Sequence, residues 1–230
     1  MKHQNLHPWN VSSHEAVEIQ KRLAPMVNLS DCMEDQPKYV AGVDISPPDG
    51  KGNTVGAAVV VELPKLQIVE VKVYQAEPLF PYVPGLLSFR EAPLILGALE
   101  LLTTTPDLIL VDGQGLAHPR RFGLACHIGL FTDTPTIGCA KSILIGRPEV
   151  VLPSSAGSRV PLTDKGETVG AAVRTRQSVN PIYVSIGHKV SLQKAIDLTL
   201  ACCKGYRMPE PTRLAHLAAA GRIPSKEPGQ

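Results

Sequence analysis

No stretch of this chain approaches the roughly 18 consecutive apolar residues of a membrane span. Its N-terminus, MKHQNLHPWN, lacks the apolar core of a secretory signal. Those absences set the expectation of a cytoplasmic protein with no membrane attachment. The cysteines, Cys32, Cys126, Cys139, Cys202 and Cys203, form no C-x-x-C pair and no zinc-finger spacing with histidine. That speaks for a reducing compartment and against a structural zinc site. Neither sign of charge dominates: 23 basic residues face 21 acidic ones, a net charge of +2. Nucleic acid is therefore neither demanded nor excluded as a partner, and any basic surface has to be local. There is no internal repeat and no motif for a protein partner, so a monomer is expected. Aromatic residues are scarce at 4% of the chain, which makes a tyrosine set between prolines, Pro81-Tyr82-Val83-Pro84, stand out.

What is present is a globular composition. The 230 residues are 43% hydrophobic and 19% charged, enough to bury about 70% of the unfolded surface in one core. One domain is expected over residues 1–222, followed by a disordered tail, IPSKEPGQ, over 223–230. Ser12-x-x-Glu15 is a capping-box pattern, and Ala16, Ile19, Leu23 and Met26 follow at helical spacing, predicting a helix from 13 to about 27. From Tyr39 the β-branched content rises through YVAGVDIS, TVGAAVVVEL and QIVEVKVYQA, separated by turn residues, which reads as a three-strand antiparallel meander. In its third strand Ile68, Glu70 and Lys72 alternate with Val69, Val71 and Val73, the pattern of a half-exposed face.

Further on, PLFPYVP is held extended by its prolines, and Ser88-x-x-Glu91 predicts a capped helix to about Leu102. A strand at Leu108 to Asp112, a glycine loop, a short helix near Gly123 to Leu130 and a strand at Thr136 to Ala140 give αβ order. SSAGSRVPLTDKGE reads as a surface loop, GETVGAAVRTR and PIYVSIGH as a hairpin, and Ser191 and Thr212 as caps of two last helices. An antiparallel meander followed by parallel βαβ units suggests an α/β, ribonuclease H-like mixed sheet flanked by helices.

Asp44, Asp112 and Glu91 sit where apolar segments end or a helix opens, each beside glycine or small residues. A carboxylate next to an apolar strand is costly to desolvate and needs a cation, dense hydrogen bonding or water. Taken singly, each has a plain structural reading: strand end, turn former, capping acid. Taken together they point to a hard cation, and Mg²⁺ in particular is commonly held by few carboxylates plus water and substrate phosphate.

The segments YVAGVDIS, PYVPGLLSFREAP, VDGQGLAHPRRFGLACHIGL, PTIGCAKSILIG, IYVSIGHKVSL and TRLAHLAA resemble, in order, the motifs of the endonuclease V family and extend from about Tyr39 to Ala220. The resemblance implies a ribonuclease H-like fold and a requirement for Mg²⁺, with Mn²⁺ able to substitute. It also implies recognition of deoxyinosine in DNA and hydrolysis of the second phosphodiester bond on its 3′ side, leaving 3′-hydroxyl and 5′-phosphate ends. Carried over by motif, Asp44, Glu91 and Asp112 become metal-site carboxylates. Lys141 becomes a cation near the scissile phosphate, and His216 a residue delivered to the metal centre by the last helix.

Pro81 to Pro84 resembles the family's strand-separating wedge, with Tyr82 entering where a base has left and Pro84 stiffening the loop. A flipped base is read by close polar contacts, which glycines expose on the backbone; Gly113, Gly115 and Gly123 are the candidates. The resemblance places Leu87, His118, Leu124, Ala140 and Leu144 around that pocket. Arg120 and Arg121, with Lys189, are candidates for phosphate contacts, whereas Arg174 and Arg176 have a plain solvated reading. Inosine-containing RNA is the alternative substrate within the family. A non-catalytic nucleic-acid-binding protein of the same fold, and a base-removing glycosylase, are the readings from other classes.

Overall fold

The β-branched runs form the meander they predict: β1 (Tyr39–Ile45), β2 (Thr54–Glu62) and β3 (Gln67–Ala76), each antiparallel to the next. The structure is a computed structural model that describes residues 1–33 and 36–229. Two short apolar strands, β4 (Leu108–Val111) and β5 (Thr136–Ala140), then add in parallel beside β1. The far half of the sheet holds β6 (Arg147–Pro148), β7 (Arg159–Asp164), β8 (Glu167–Val173) and β9 (Ile182–His188). The order across the sheet is β3-β2-β1-β4-β5-β9-β8-β7-β6. This is a ribonuclease H-like mixed sheet.

Side chains leave alternate faces of a strand, so each strand feeds two cores. On one face Val40, Val59, Leu108 and Leu110 pack with α4 (Leu192–Ala201) and α5 (Glu210–Ala219) through Ala195, Leu198, Leu214 and Ala215. On the other, Ala41, Val43, Val60, Ile109 and Val111 pack with α2 (Leu87–Glu100) and α3 (Leu124–Thr132) through Ala92, Ile95, Leu124 and Ile128. Two glycines set how closely the helices approach. A Cβ on Gly42 of β1 would come within 2.0 Å of the Pro211 carbonyl carbon in α5, and one on Gly56 of β2 within 2.4 Å of Leu94 O in α2. Only the missing side chain admits both helices.

The N-terminal helix α1 (Ser13–Leu23) carries the expected capping box and ends in a 3₁₀ turn, Ala24–Met26. Ser191 caps α4 as expected, its hydroxyl accepting from Lys194 N. Other boundaries differ from the sequence reading. Residues 159–164, expected in a surface loop, form strand β7, whose backbone pairs along β8. The helix α2 starts at Leu87 with Leu86 in the capping position, so Ser88 lies inside it and caps nothing, and Glu91 falls in the second turn. The last helix opens at Glu210, after Pro209 and with Pro211 in its first turn; Thr212 donates its hydroxyl back to Pro209 O from within the helix.

The third strand breaks its own alternation. A bulge between the Val60 and Val61 pairings shifts the register at residues 68–70, which turns Glu70 inward. Expected on a half-exposed face, Glu70 is fully buried. Its carboxylate accepts from Thr103 N, Thr103 Oγ1 and Thr104 N at 2.8–3.1 Å. Burial pushes its pKa up, but these hydrogen bonds outweigh it and hold the group below the usual carboxylate range.

The tail expected to be disordered makes defined contacts. Lys226 bridges Val71 on the open edge of β3, and Lys72 pairs with Glu227. Gln230 lies outside the described residues. Among the described residues no helix is long and apolar enough to cross a membrane.

Candidate active site

The strand pairing explains why two distant aspartates meet. In the parallel pair β1–β4, Val43 lies opposite Val111, so the next position on each chain carries Asp44 and Asp112. The pleat turns both side chains away from Val43 and Val111, toward the face covered by α5. Their side chains are 13% and 11% exposed. Asp44 Oδ1 accepts from Ile45 N at 2.8 Å, and Asp112 N donates to Val43 O at 3.3 Å.

Three more groups converge on this pair from other elements. On α5, His216 Nδ1 lies 2.9 Å from Asp44 Oδ2. Directly after β5, Lys141 Nζ lies 2.5 Å from Asp112 Oδ2. Glu91 arrives from α2, on the opposite face of the sheet. These five residues line one cleft, together with Tyr82, Leu87 and Arg90. All five residues proposed for the chemistry are thus brought together.

Electrostatics shows that the acids sense one another. Burial, and then the charges of Asp44 and Asp112, push the Glu91 carboxyl up to about 8, against the pull of Arg90. Burial and the charge of Asp112 raise Asp44 as well, while the Ile45 N–H, His216 and Lys141 pull it back. Such a cluster holds more negative charge than its own cations relieve.

Among the described residues, no three His, Cys, Asp and Glu side chains form a ready-made metal cage. The donors that are present are carboxylate oxygens open to a cleft. That set fits a hard divalent cation bound by one or two carboxylates and completed by water and phosphate, and it would not fit a soft metal.

Beside the cleft lies a pocket of about 130 Å³ lined by Gln20, Tyr82, Val83, Pro84, Gly85, Leu87, Ser88, Gln114, His118, Gly123, Leu124 and Leu144. Tyr82 is 70% exposed, while Phe80, two residues before it, is buried and its carbonyl is held by Arg90 Nη1 at 3.0 Å. The loop is anchored at its base and free at its tip. Burial and the charge of Arg120 hold the His118 pKa down to about 4, so the ring is neutral at physiological pH. Its Nε2 faces Gly85 O and its Nδ1 faces Arg120 N, which fixes the proton on Nε2.

Some candidates take other places. Gly113, Gly115 and Ala140 do not line the pocket. Gly115 is buried beneath it, where a Cβ would meet Ile186 O at 2.0 Å, and its N–H donates to Ser185 Oγ. Arg120 and Arg121, expected on phosphate, hold protein groups instead. Arg120 donates to Gly85 O and Gln20 Oε1, and Arg121 pairs with Asp164 and Glu167. Lys189 pairs with Asp133. Arg174, read as solvated, donates to the carbonyls of Pro153, Val179 and Leu152.

Sequence reasoning missed two residues that hold the site. Arg207 donates to Lys141 O and Pro181 O, pinning the backbone that carries the lysine. Gln20 ties the pocket walls together. Both act through backbone carbonyls distant in sequence, a relationship that leaves no local pattern.

Carboxylates gathered at the ends of neighbouring strands of this sheet, with a lysine paired to one and a histidine hydrogen-bonded to another, place the protein among the ribonuclease H-like nucleases. The chain belongs to the endonuclease V family, whose profile matches residues 21–217. It is 51% identical over 213 residues to endonuclease V of Gloeobacter violaceus, spanning 92% of this chain and 86% of that protein. The crystal structure of endonuclease V from Streptomyces avermitilis superimposes with a TM-score of 0.87 at 42% identity, covering 93% of each chain. That of Ciona intestinalis endonuclease V, in complex with a 24mer DNA containing an inosine followed by a ribo-adenosine, superimposes with a TM-score of 0.80 at 31% identity, covering 90% of this chain and 96% of that one.

Proposed function

We propose that the protein recognises deoxyinosine in DNA and hydrolyses the second phosphodiester bond 3′ to it, with Mg²⁺ as cofactor and Mn²⁺ able to replace it. The observation that carries this reading is a shared wall. Tyr82 and Leu87 line both the acid cleft and the adjoining pocket, so a base held in one leaves its backbone beside the other. The inosine-containing DNA bound by the Ciona relative supports the choice of base.

Asp44 and Asp112 would hold the cation, with Glu91 of α2, which lines the same cleft, as a third carboxylate that would act directly or through water. When bound, the ion supplies Lewis acidity to the phosphodiester and to the attacking water. Lys141 places a positive charge where the phosphate gains negative charge in the transition state. His216 orients Asp44 through their hydrogen bond. Tyr82 fills the space left by the extruded base, a stacking contact worth roughly 1–3 kcal/mol. Pocket backbone around Gly123 reads the base edge, and Leu124 and Leu144 exclude water from it.

The test is cleavage of a labelled duplex bearing one deoxyinosine, in Mg²⁺ or EDTA, beside the matching RNA oligonucleotide. Nicks with 5′-phosphate ends in Mg²⁺, absent with EDTA and with Asp44→Ala or Asp112→Ala, are expected, while both variants still bind the duplex in Ca²⁺. Cleavage surviving EDTA would remove the metal from the mechanism. An abasic site in place of a nick would make the protein a glycosylase, and faster cleavage of the RNA would move the natural substrate to RNA.

A further inference from the structure

The two walls of the pocket come from segments far apart in sequence: the loop after Tyr82 and the turn before Gly123. One side chain of α1, outside every motif that marks the family resemblance, joins them. Gln20 is 1% exposed. Its Nε2 donates to Gly85 O and to Phe122 O, each at 3.2 Å, and its Oε1 accepts from Arg120 Nε at 2.5 Å.

Gly85 O is also approached by His118 Nε2 at 3.0 Å and Arg120 Nη2 at 2.6 Å, so three donors meet on one carbonyl. Gly85 itself has φ +78°, and a Cβ there would lie 2.9 Å from Arg120 Nη2. Both amide hydrogens of Gln20 are used. Rotating the amide would set its oxygen against two carbonyls, so the partners fix one orientation.

We propose that Gln20 is a specificity-determining positioning residue that sets the separation of the pocket walls by spanning Gly85 and Phe122, and thereby the preference for inosine over an unmodified base. It belongs neither to the carboxylate cluster nor to the cleft. The inference rests on the inosine-directed reading of the site. A pocket that reads a base through backbone contacts needs its walls fixed to a fraction of an ångström. Without Gln20's donors, Phe122 O is left buried and unpaired, and the wall relaxes to find water or another donor.

Full-length Gln20→Met, which keeps the volume and removes the donors, is compared with wild type. Binding to inosine duplex and to plain duplex is measured in Ca²⁺, and single-turnover nicking at saturating and sub-saturating protein in Mg²⁺. The expected result is a fall of about tenfold in the inosine-to-plain affinity ratio, carried by weaker binding of the inosine duplex, with a larger loss of nicking at sub-saturating than at saturating protein. Equal weakening on both duplexes, or an unchanged ratio, overturns the proposal.

Gln20→Glu keeps an acceptor for Arg120 while losing both donors, and carries the same expectation if the methionine variant does not fold. Loss of folding in both variants, seen by circular dichroism, would make Gln20 a core residue and end the proposal. A wild type with no preference for inosine would instead overturn the inosine reading, so the two failures are distinct.

Discussion

Lys141 Nζ lies 2.5 Å from Asp112 Oδ2 at the mouth of the cleft. The carboxylate proposed to hold a divalent cation thus has a cation of its own, and Lys141 and the metal would share one anion. Replacing Lys141 with Met should lower single-turnover nicking by about a hundredfold or more, as loss of a charge-stabilising donor does elsewhere. It should also leave the acids under-compensated, so added Mn²⁺ should raise the melting temperature more than in wild type. At roughly 2–4 °C per kcal/mol for a domain of this size, differential scanning calorimetry resolves the difference. An equal gain in both proteins would mean that Lys141 does not share the charge of the site.

The Glu91 carboxyl, raised to about 8 from an ordinary 4.5, makes folding depend on pH. The folded state keeps a proton that the unfolded chain releases above about 4.5. Stability in EDTA should therefore fall as pH rises through the window from 4.5 to 8, by at most roughly 1.4 kcal/mol per pH unit from this group. Glu91→Gln should remove that slope and be the more stable protein at pH 8. Denaturant melts of the two proteins across the window test it, and parallel curves would refute the assignment.

Glu70 should behave in the opposite sense. Its pKa is depressed in the fold, so its contribution is present above its unfolded value and is lost as pH falls through the lower folded one. Glu70→Ala leaves the Thr103 and Thr104 amides without their acceptor, and should cost roughly 1–3 kcal/mol at pH 7. Nicking at low temperature should be unaffected, because Glu70 lies away from the cleft. A melt matching wild type would contradict the role.

Tyr82→Ala should weaken binding to inosine duplex by roughly 1–3 kcal/mol while leaving plain-duplex affinity nearly unchanged. The exposed ring makes little contact with the fold, so the melting temperature should hold. Competition binding in Ca²⁺ measures both affinities, and an equal loss on each duplex would assign Tyr82 to general adhesion.

The parts of the fold legible in the sequence are those whose cause is local. Ser12-x-x-Glu15 forms its capping box within four residues, and Asp44 and Asp112 announce themselves because apolar strands lead into them. The same four-residue pattern at Ser88-x-x-Glu91 misleads. The turn at Gly85 and Leu86 starts the helix earlier, and Glu91 answers to the carboxylates of Asp44 and Asp112 at the sheet end. Residues 159–164 carry Pro161 and little apolar bias, so their strand character comes from pairing with β8. Glu70 faces inward because a bulge shifts the period, and a period-2 reading has no means to anticipate it.

Arg120 and Arg121 look like a phosphate clamp from their neighbours alone. Their partners, Gln20, Gly85, Asp164 and Glu167, lie at sequence distances where only tertiary structure decides.

The close approaches at Gly42 and Gly56 bring His216 and Glu91 to the sheet end from opposite faces. The cleft is therefore complete only when both helices have docked on a finished sheet. A chain with either helix undocked would present the aspartates without their full set of neighbours. Formation of the candidate site is thus tied to completion of the fold.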